Sequence, residues 1–241
     1  MTGAAESEVV EFGYKPPRSV AENLWEISGE WKNKFGRRMT VIKLQDERLI
    51  IHNAIRLQST DINWLKSLGK PSFIVAPNVF HCSDAGWMAG KFPDAELFVP
   101  APKMASFKNQ GHNSKDVNLD FPSALSDEFQ CIPIKGMRIN EAAFLHRPSR
   151  TLILCDSAFN MGDVFTGFER AFMKWNKIGG RFGPSRLTKW VFANDRKKLH
   201  LSYQEILQLD FDRVIVNHGD ILESGGRDRL RSGVTEIFGD A

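Results

Sequence analysis

Short apolar runs broken by polar turns recur along this chain, and they fall into two sets separated by a polar stretch. Leu24-Trp25-Glu26-Ile27-Ser28-Gly29 and Met39-Thr40-Val41-Ile42-Lys43-Leu44 read as strands. Leu49-Ile50-Ile51-His52-Asn53 follows the polar turn Gln45-Asp46-Glu47-Arg48 and completes a hairpin. From Asp61 to Leu68 the spacing becomes helical: Ile62, Leu65 and Leu68 share a face, and Gly69 ends the run. Phe73 to Ala76 is apolar throughout, the mark of a strand buried on both faces. Residues 83–92 predict a helix that stops before Pro93, and Glu96-Leu97-Phe98-Val99 predicts another strand. Residues 101–123 are dominated by Pro, Lys, Asn, Ser, Gly and Asp. They predict a long surface loop, and long loops often serve as lids or binding segments.

The second set comprises strands at 130–134, 142–145 and 151–154, helices over roughly 164–178 and 186–209, and a final strand at 213–217. Two such half-repeats predict an α/β (α+β) fold, an αββα sandwich of two mixed sheets flanked by helices. A flexible arm, residues 1–18, ends at Pro16-Pro17, and residues 19–241 form a single domain.

At 241 residues, with 42% hydrophobic and 25% charged residues, the chain has ample material for one core. A net charge of +3 does not by itself point to nucleic acid or an anionic surface. Three irregularly spaced cysteines fit a reducing compartment rather than a disulfide framework. The acidic start lacks a basic-then-apolar leader, and no run approaches the roughly 20 apolar residues of a membrane span. The expectation is a soluble cytoplasmic protein without a membrane partner, its oligomeric state left open.

Three strand-like runs deliver polar chemistry at their ends. Phe211 to Asp220 closes in His218-Gly219-Asp220, with Gly219 permitting a sharp turn. Phe73 to His81 ends near an imidazole, and Thr151 to Asp156 ends in a carboxylate. Such strand ends are where α/β proteins build sites. In order and spacing these pieces resemble the metallo-β-lactamase superfamily, over roughly residues 20–235. They are most similar to a branch of small metallo-β-lactamase-like proteins. Val75 to His81 with the Phe92–Val99 sequel matches the family's second motif, Thr151 to Asp156 its aspartate strand, and Asp212 to Asp220 its closing histidine strand.

The resemblance implies a metal motif that is incomplete here. With His81 on the last position of the family's His-x-His-x-Asp-His, the other positions hold Ala76, Asn78 and Phe80, and the family's lone histidine falls near Met137. What remains is His81, Asp156 and His218, which in the family serve mainly the second metal. Two nitrogens and a carboxylate suit one Zn²⁺ or Fe²⁺ with water completing the shell. The implied activity is a metallo-hydrolase with an at most mononuclear centre, acting on an ester, lactone, thioester or phosphoester. The alternative is a metal-free relative that binds a small ligand or a partner.

Other residues extend the set. His52 ends its strand near the same pocket, as a fourth nitrogen, a support for a ligand, or simply a strand-end histidine bonded to backbone. Glu141 falls opposite Asp156 across a hairpin, as general base, added ligand or solvated glutamate. Asn78 either donates to a substrate oxygen or caps the following turn. His146 lies roughly 20 Å from Asp156 at about 3.3 Å per strand residue, too far to be a ligand. Strand alternation should turn Cys155 away from Asp156, leaving a core thiol. Cys82 reads as a packed side chain before a reactive one. His112 and His200 read as surface residues. Lys174, Lys177, Arg181, Arg186, Lys189, Arg196, Lys197 and Lys198 interleave with Trp175, Phe182 and Trp190. This reads as a solvated basic face before a nucleic-acid site.

Overall fold

Pleating explains how the strands come to be covered on both faces. In the computed structural model, which describes residues 13–30 and 35–239, neighbouring residues of each central strand feed two different cores. The first sheet runs β1 (Arg18–Ala21), β2 (Leu24–Gly29), β3 (Arg37–Lys43), β4 (Arg48–His52), β5 (Lys70–Val75), β6 (Glu96–Val99) and β7 (Ser114–Asp116), in that spatial order. The second runs β11 (Arg213–Val216), β10 (Thr151–Leu154), β9 (Ala142–His146) and β8 (Phe129–Pro133). Both sheets are mixed: β4, β5, β6 and β7 pair in parallel, and so do β10 and β11, while the hairpins are antiparallel.

Between the sheets lie Ile42, Ile50, Phe73 and Phe98 from one side and Phe129, Phe144, Ile153 and Ile215 from the other. The alternate residues Val41, Ile51 and Ile74 face outward, under α1 (Ser59–Leu68), α2 (Ala85–Lys91) and α3 (Ala101–Asn109). Leu152, Leu154, Val214 and Val216 of the second sheet face α5 (Arg196–Leu207) and α6 (Gly226–Phe238), through Leu199, Tyr203, Ile206, Leu230 and Val234. The four layers are helix, sheet, sheet and helix, as the αββα prediction requires.

Several boundaries differ from the sequence pattern. Residues 101–123 are not one loop. They hold α3 and the edge strand β7, with Phe107 buried beneath α3 and Val117 in the inter-sheet core. Prolines at the start of α3 obscure a helix that they in fact initiate, since the first turn needs no proline N–H. The run 186–209 is interrupted: a π-helical turn (Thr188–Phe192) precedes α5, whose start is capped by Asp195 accepting from the Lys198 N–H at 3.0 Å. The helix expected over 164–178 is α4 (Gly167–Trp175). Helix α6, beyond the last expected strand, completes the outer layer over β11.

Of the expected N-terminal arm, residues 1–12 lie outside the described residues. Tyr14 bridges to Gly29, and its hydroxyl donates to Asp61 at 2.6 Å. Among the described residues, no helix is long and apolar enough to cross a membrane.

Candidate metal centre

The carboxyl ends of β5, β10 and β11 meet at one edge of the sandwich, and their following loops carry His81, Asp156 and His218 together. Asp156 is buried, with one imidazole on each oxygen: His81 Nε2 stands 3.2 Å from Oδ2 and His218 Nε2 3.2 Å from Oδ1. Burial alone would raise its pKa, but His81 and His218 outweigh that and hold Asp156 well below the usual carboxylate range. Burial likewise lowers His218, yet Asp156 and the Phe35 and Gly36 carbonyls carry it above the ordinary histidine value.

Those carbonyls accept from His218 Nδ1 at 3.2 and 3.0 Å, which fixes the proton there and aims Nε2 at the carboxylate. Phe159 stacks on the same ring at 5.9 Å. The loop turns at Gly219, whose φ is +94° and where an added Cβ would lie 2.1 Å from the Asn160 carbonyl oxygen. Gly219→Ala is therefore expected to cost at least about 2 kcal/mol. Urea unfolding tests this, and a loss under about 0.5 kcal/mol would show that the turn is not needed.

Asn217, beside His218, was not singled out by the sequence pattern. Its Oδ1 accepts from the Arg38 N–H at 2.8 Å and from Asn53 Nδ2 at 2.6 Å, which fixes the amide's orientation. Its Nδ2 then faces His218 Nε2 at 3.1 Å and His81 Nε2 at 3.2 Å. Each imidazole nitrogen thus meets an amide donor and a carboxylate acceptor at once. A neutral nitrogen satisfies only the first and a protonated one only the second. Two imidazoles and an ionised carboxylate gathered in this way are the donor types that a divalent ion such as Zn²⁺ takes. The residues fit a metal ion. Arg38 braces the loop: its Nη1 donates to the Val216 carbonyl, its Nη2 to that of Gly219 at 2.8 Å, and its Nε to Glu26 at 2.7 Å.

Four expectations are corrected. Glu141 is neither solvated nor in the pocket. It is fully buried and accepts from the N–H groups of Cys155, Asp156 and Ser157 at 3.0, 2.9 and 3.1 Å, from Ser157 Oγ at 2.6 Å and from Asn78 Nδ2 at 3.0 Å. Burial and the Asp156 charge push its pKa up, while every partner is a donor that favours the carboxylate. With all its lone pairs engaged, it is an anchor for the Asp156 loop and not a base. Asn78 caps its turn, its Oδ1 accepting from the Phe80 N–H at 2.9 Å. Its Nδ2 is spent on Glu141 and on Asp156 at 2.8 Å, so no amide donor is left for substrate.

His52 follows the pleat into the inter-sheet core and stands edge-on to Phe144 at 5.1 Å, outside the pocket lining. Its Nδ1 has no hydrogen-bond partner, and burial with the nearby His81 pushes its pKa down to about 3. Cys155 is the buried core thiol expected, but it is not turned away from Asp156: β10 ends at Leu154, so alternation no longer governs it. His81, Cys155 and Asp156 form the set of described residues whose ligand atoms all lie within 4.8 Å of one another. His218 stands on the other oxygen of the same carboxylate. Burial raises the Cys155 thiol well above its ordinary pKa.

Other residues lie where the pattern put them. Cys82 is packed, its Sγ donating to the Asn78 carbonyl at 3.2 Å, with burial pushing it up to about 12. His146 pairs with Thr151 at the opposite end of the β9–β10 hairpin and contacts Ser149 at 2.7 Å. Burial pushes His146 down to about 4, below its unfolded value near 6.5. Its contribution is thus complete above about pH 6.5 and lost as pH falls through about 4. His146→Gln should remove on the order of 2 kcal/mol of that acid sensitivity in urea melts at pH 7 and pH 4.5. An unchanged difference between the two pH values would contradict it.

A pocket of about 250 Å³ opens over the cluster, walled by Phe35, Arg37, Ala54, Phe80 and Ser83. Arg37 is held by Asp84 at 2.5 Å.

The αββα sandwich recurs in solved structures. The DIM-1 metallo-β-lactamase aligns with a TM-score of 0.63 at 12% identity, over 93% of this chain and 99% of its own. The mono-zinc FIM-1 enzyme from Pseudomonas aeruginosa aligns at 0.61 and 10%, over 99% and 100%. The Flv1 flavodiiron core from Synechocystis aligns at 0.63 and 10%, over 94% of this chain and 61% of that one. The chain has the metallo-β-lactamase superfamily fold. No family model and no curated sequence matches it.

Proposed function

We propose that this protein is a metal-dependent hydrolase working with a single ion held by His81, Asp156 and His218. The observation that carries this reading is the pair of imidazoles on the two oxygens of one buried carboxylate. Cys155 is available as a further ligand. A bound Zn²⁺ or Fe²⁺ would acidify water and polarise a carbonyl or phosphoryl oxygen. The chain's own residues prepare the site. Asp156 stays ionised at neutral pH, and the Phe35 and Gly36 carbonyls orient His218. Phe35, Ala54 and Phe80 line the pocket, and Arg37, paired with Asp84, stands in its wall beside the space where an ester, lactone, thioester or phosphoester would sit. The missing histidine positions at Ala76 and Asn78 support one ion instead of two.

A panel of those four substrate classes tests the reading, with protein stripped by chelator and then reloaded with Zn²⁺ or Fe²⁺. Turnover that disappears on stripping and returns with metal is expected. Turnover that survives stripping contradicts it. The second reading, a metal-free binding pocket, draws on the Asn217 amide, which hydrogen-bonds both imidazoles without any ion. It predicts no change in thermal stability when zinc is added.

A further inference from the structure

Residues 163–198, which follow the Asp156 loop, carry nine lysines and arginines against three acids, although the whole chain is only +3. Positive charge is therefore concentrated here. The same segment holds strongly exposed apolar side chains: Phe168 is 87% exposed, Trp175 62% and Trp190 56%. Helix α4 buries none of its residues. Phe168, Phe172 and Trp175 recur at helical spacing on one face, a stripe that a helix packed on the domain would turn inward. The indoles are capped by cations: Arg186 sits 5.1 Å over Trp175 and Arg196 3.8 Å over Trp190.

We propose that this face docks on an anionic lipid bilayer surface. The α4 stripe would enter the boundary between headgroups and acyl chains, while Arg186, which caps Trp175 of that stripe, meets lipid phosphates. Arginine-capped tryptophans suit the same depth, with one side apolar and the other wet. Charge decides between this occupant and a second copy, because a two-fold interface would set the basic patch against itself. A single-stranded nucleic acid would need open aromatic faces, and each indole already has one covered. It would also leave the Phe168–Phe172 stripe without a role.

Two contacts tie the patch to the pocket: Phe165 packs on Phe35 at 5.7 Å, and Phe192 on Phe80 at 5.8 Å. Docking would bring the pocket beside the bilayer. The proposal departs from the sequence expectation of no membrane partner and does not depend on metal or catalysis.

Sedimentation of the full chain with phosphatidylcholine vesicles, with and without phosphatidylserine, tests it. Partitioning at least about tenfold stronger on the phosphatidylserine vesicles, and weakened by high salt, is expected. Phe168→Ser, and Phe168→Ser with Phe172→Ser, should each keep the wild-type circular dichroism. The double variant should lose about tenfold in partitioning. The single variant guards against misfolding of the double one. Absence of binding to phosphatidylserine vesicles would overturn the proposal. So would binding that both variants retain, a dimer that Phe168→Ser dissociates, or displacement from vesicles by a single-stranded oligonucleotide.

Discussion

Replacing Glu141 with alanine is expected to cost at least about 3 kcal/mol of folding stability, more than any other single substitution in the site. The carboxylate collects three backbone N–H groups, one hydroxyl and one amide, all within 3.1 Å. Alanine leaves the three buried backbone N–H donors unsatisfied, each worth about 1–3 kcal/mol, and opens a cavity. Glu141→Gln keeps the shape but turns an amide donor against other donors, so it should cost roughly half as much. Because those N–H groups belong to Cys155, Asp156 and Ser157, either variant should also loosen the loop that aims Asp156. Urea unfolding reads the loss directly. A Glu141→Ala cost below about 1 kcal/mol would mean that the loop is held by packing alone.

Asp156→Asn is the second large effect. The carboxylate is the charged group that touches both imidazoles, and an amide supplies neither its charge nor its two equivalent acceptors. Zinc affinity by calorimetric titration should fall at least about a hundredfold, beyond the 10–100-fold typical of a lost supporting contact. His218 should titrate at lower pH in the variant, since Asp156 is what outweighs burial in its case. Nuclear magnetic resonance of the ring protons gives that shift. An unchanged His218 titration would show that Phe35 and Gly36 govern it instead.

The convergence of His81, Asp156 and His218 was legible because strand ends are simple to read: β-branched runs stop at a polar residue, and parallel strands place those stops along one edge. Glu141 was legible in position and not in role, since a hairpin register gives its neighbour but not the number of donors that will meet its oxygens. Asn217 and Arg38 left no periodic signal. Each acts through contacts spanning well over 100 residues, Arg38 to Asn217 among them. Cys155 shows where alternation fails, one residue past the last strand residue. An amphipathic pattern such as that of α4 ordinarily packs inward, but here the apolar face points outward, and sequence periodicity does not tell which way a stripe faces.

Elemental analysis of untagged protein purified without chelator, beside His81→Ala, Asp156→Ala and His218→Ala, tests the mononuclear site most directly. One zinc or iron per wild-type chain, lost in all three folded variants, is the predicted result. A folded wild-type protein without metal, or variants that keep it, would contradict the account.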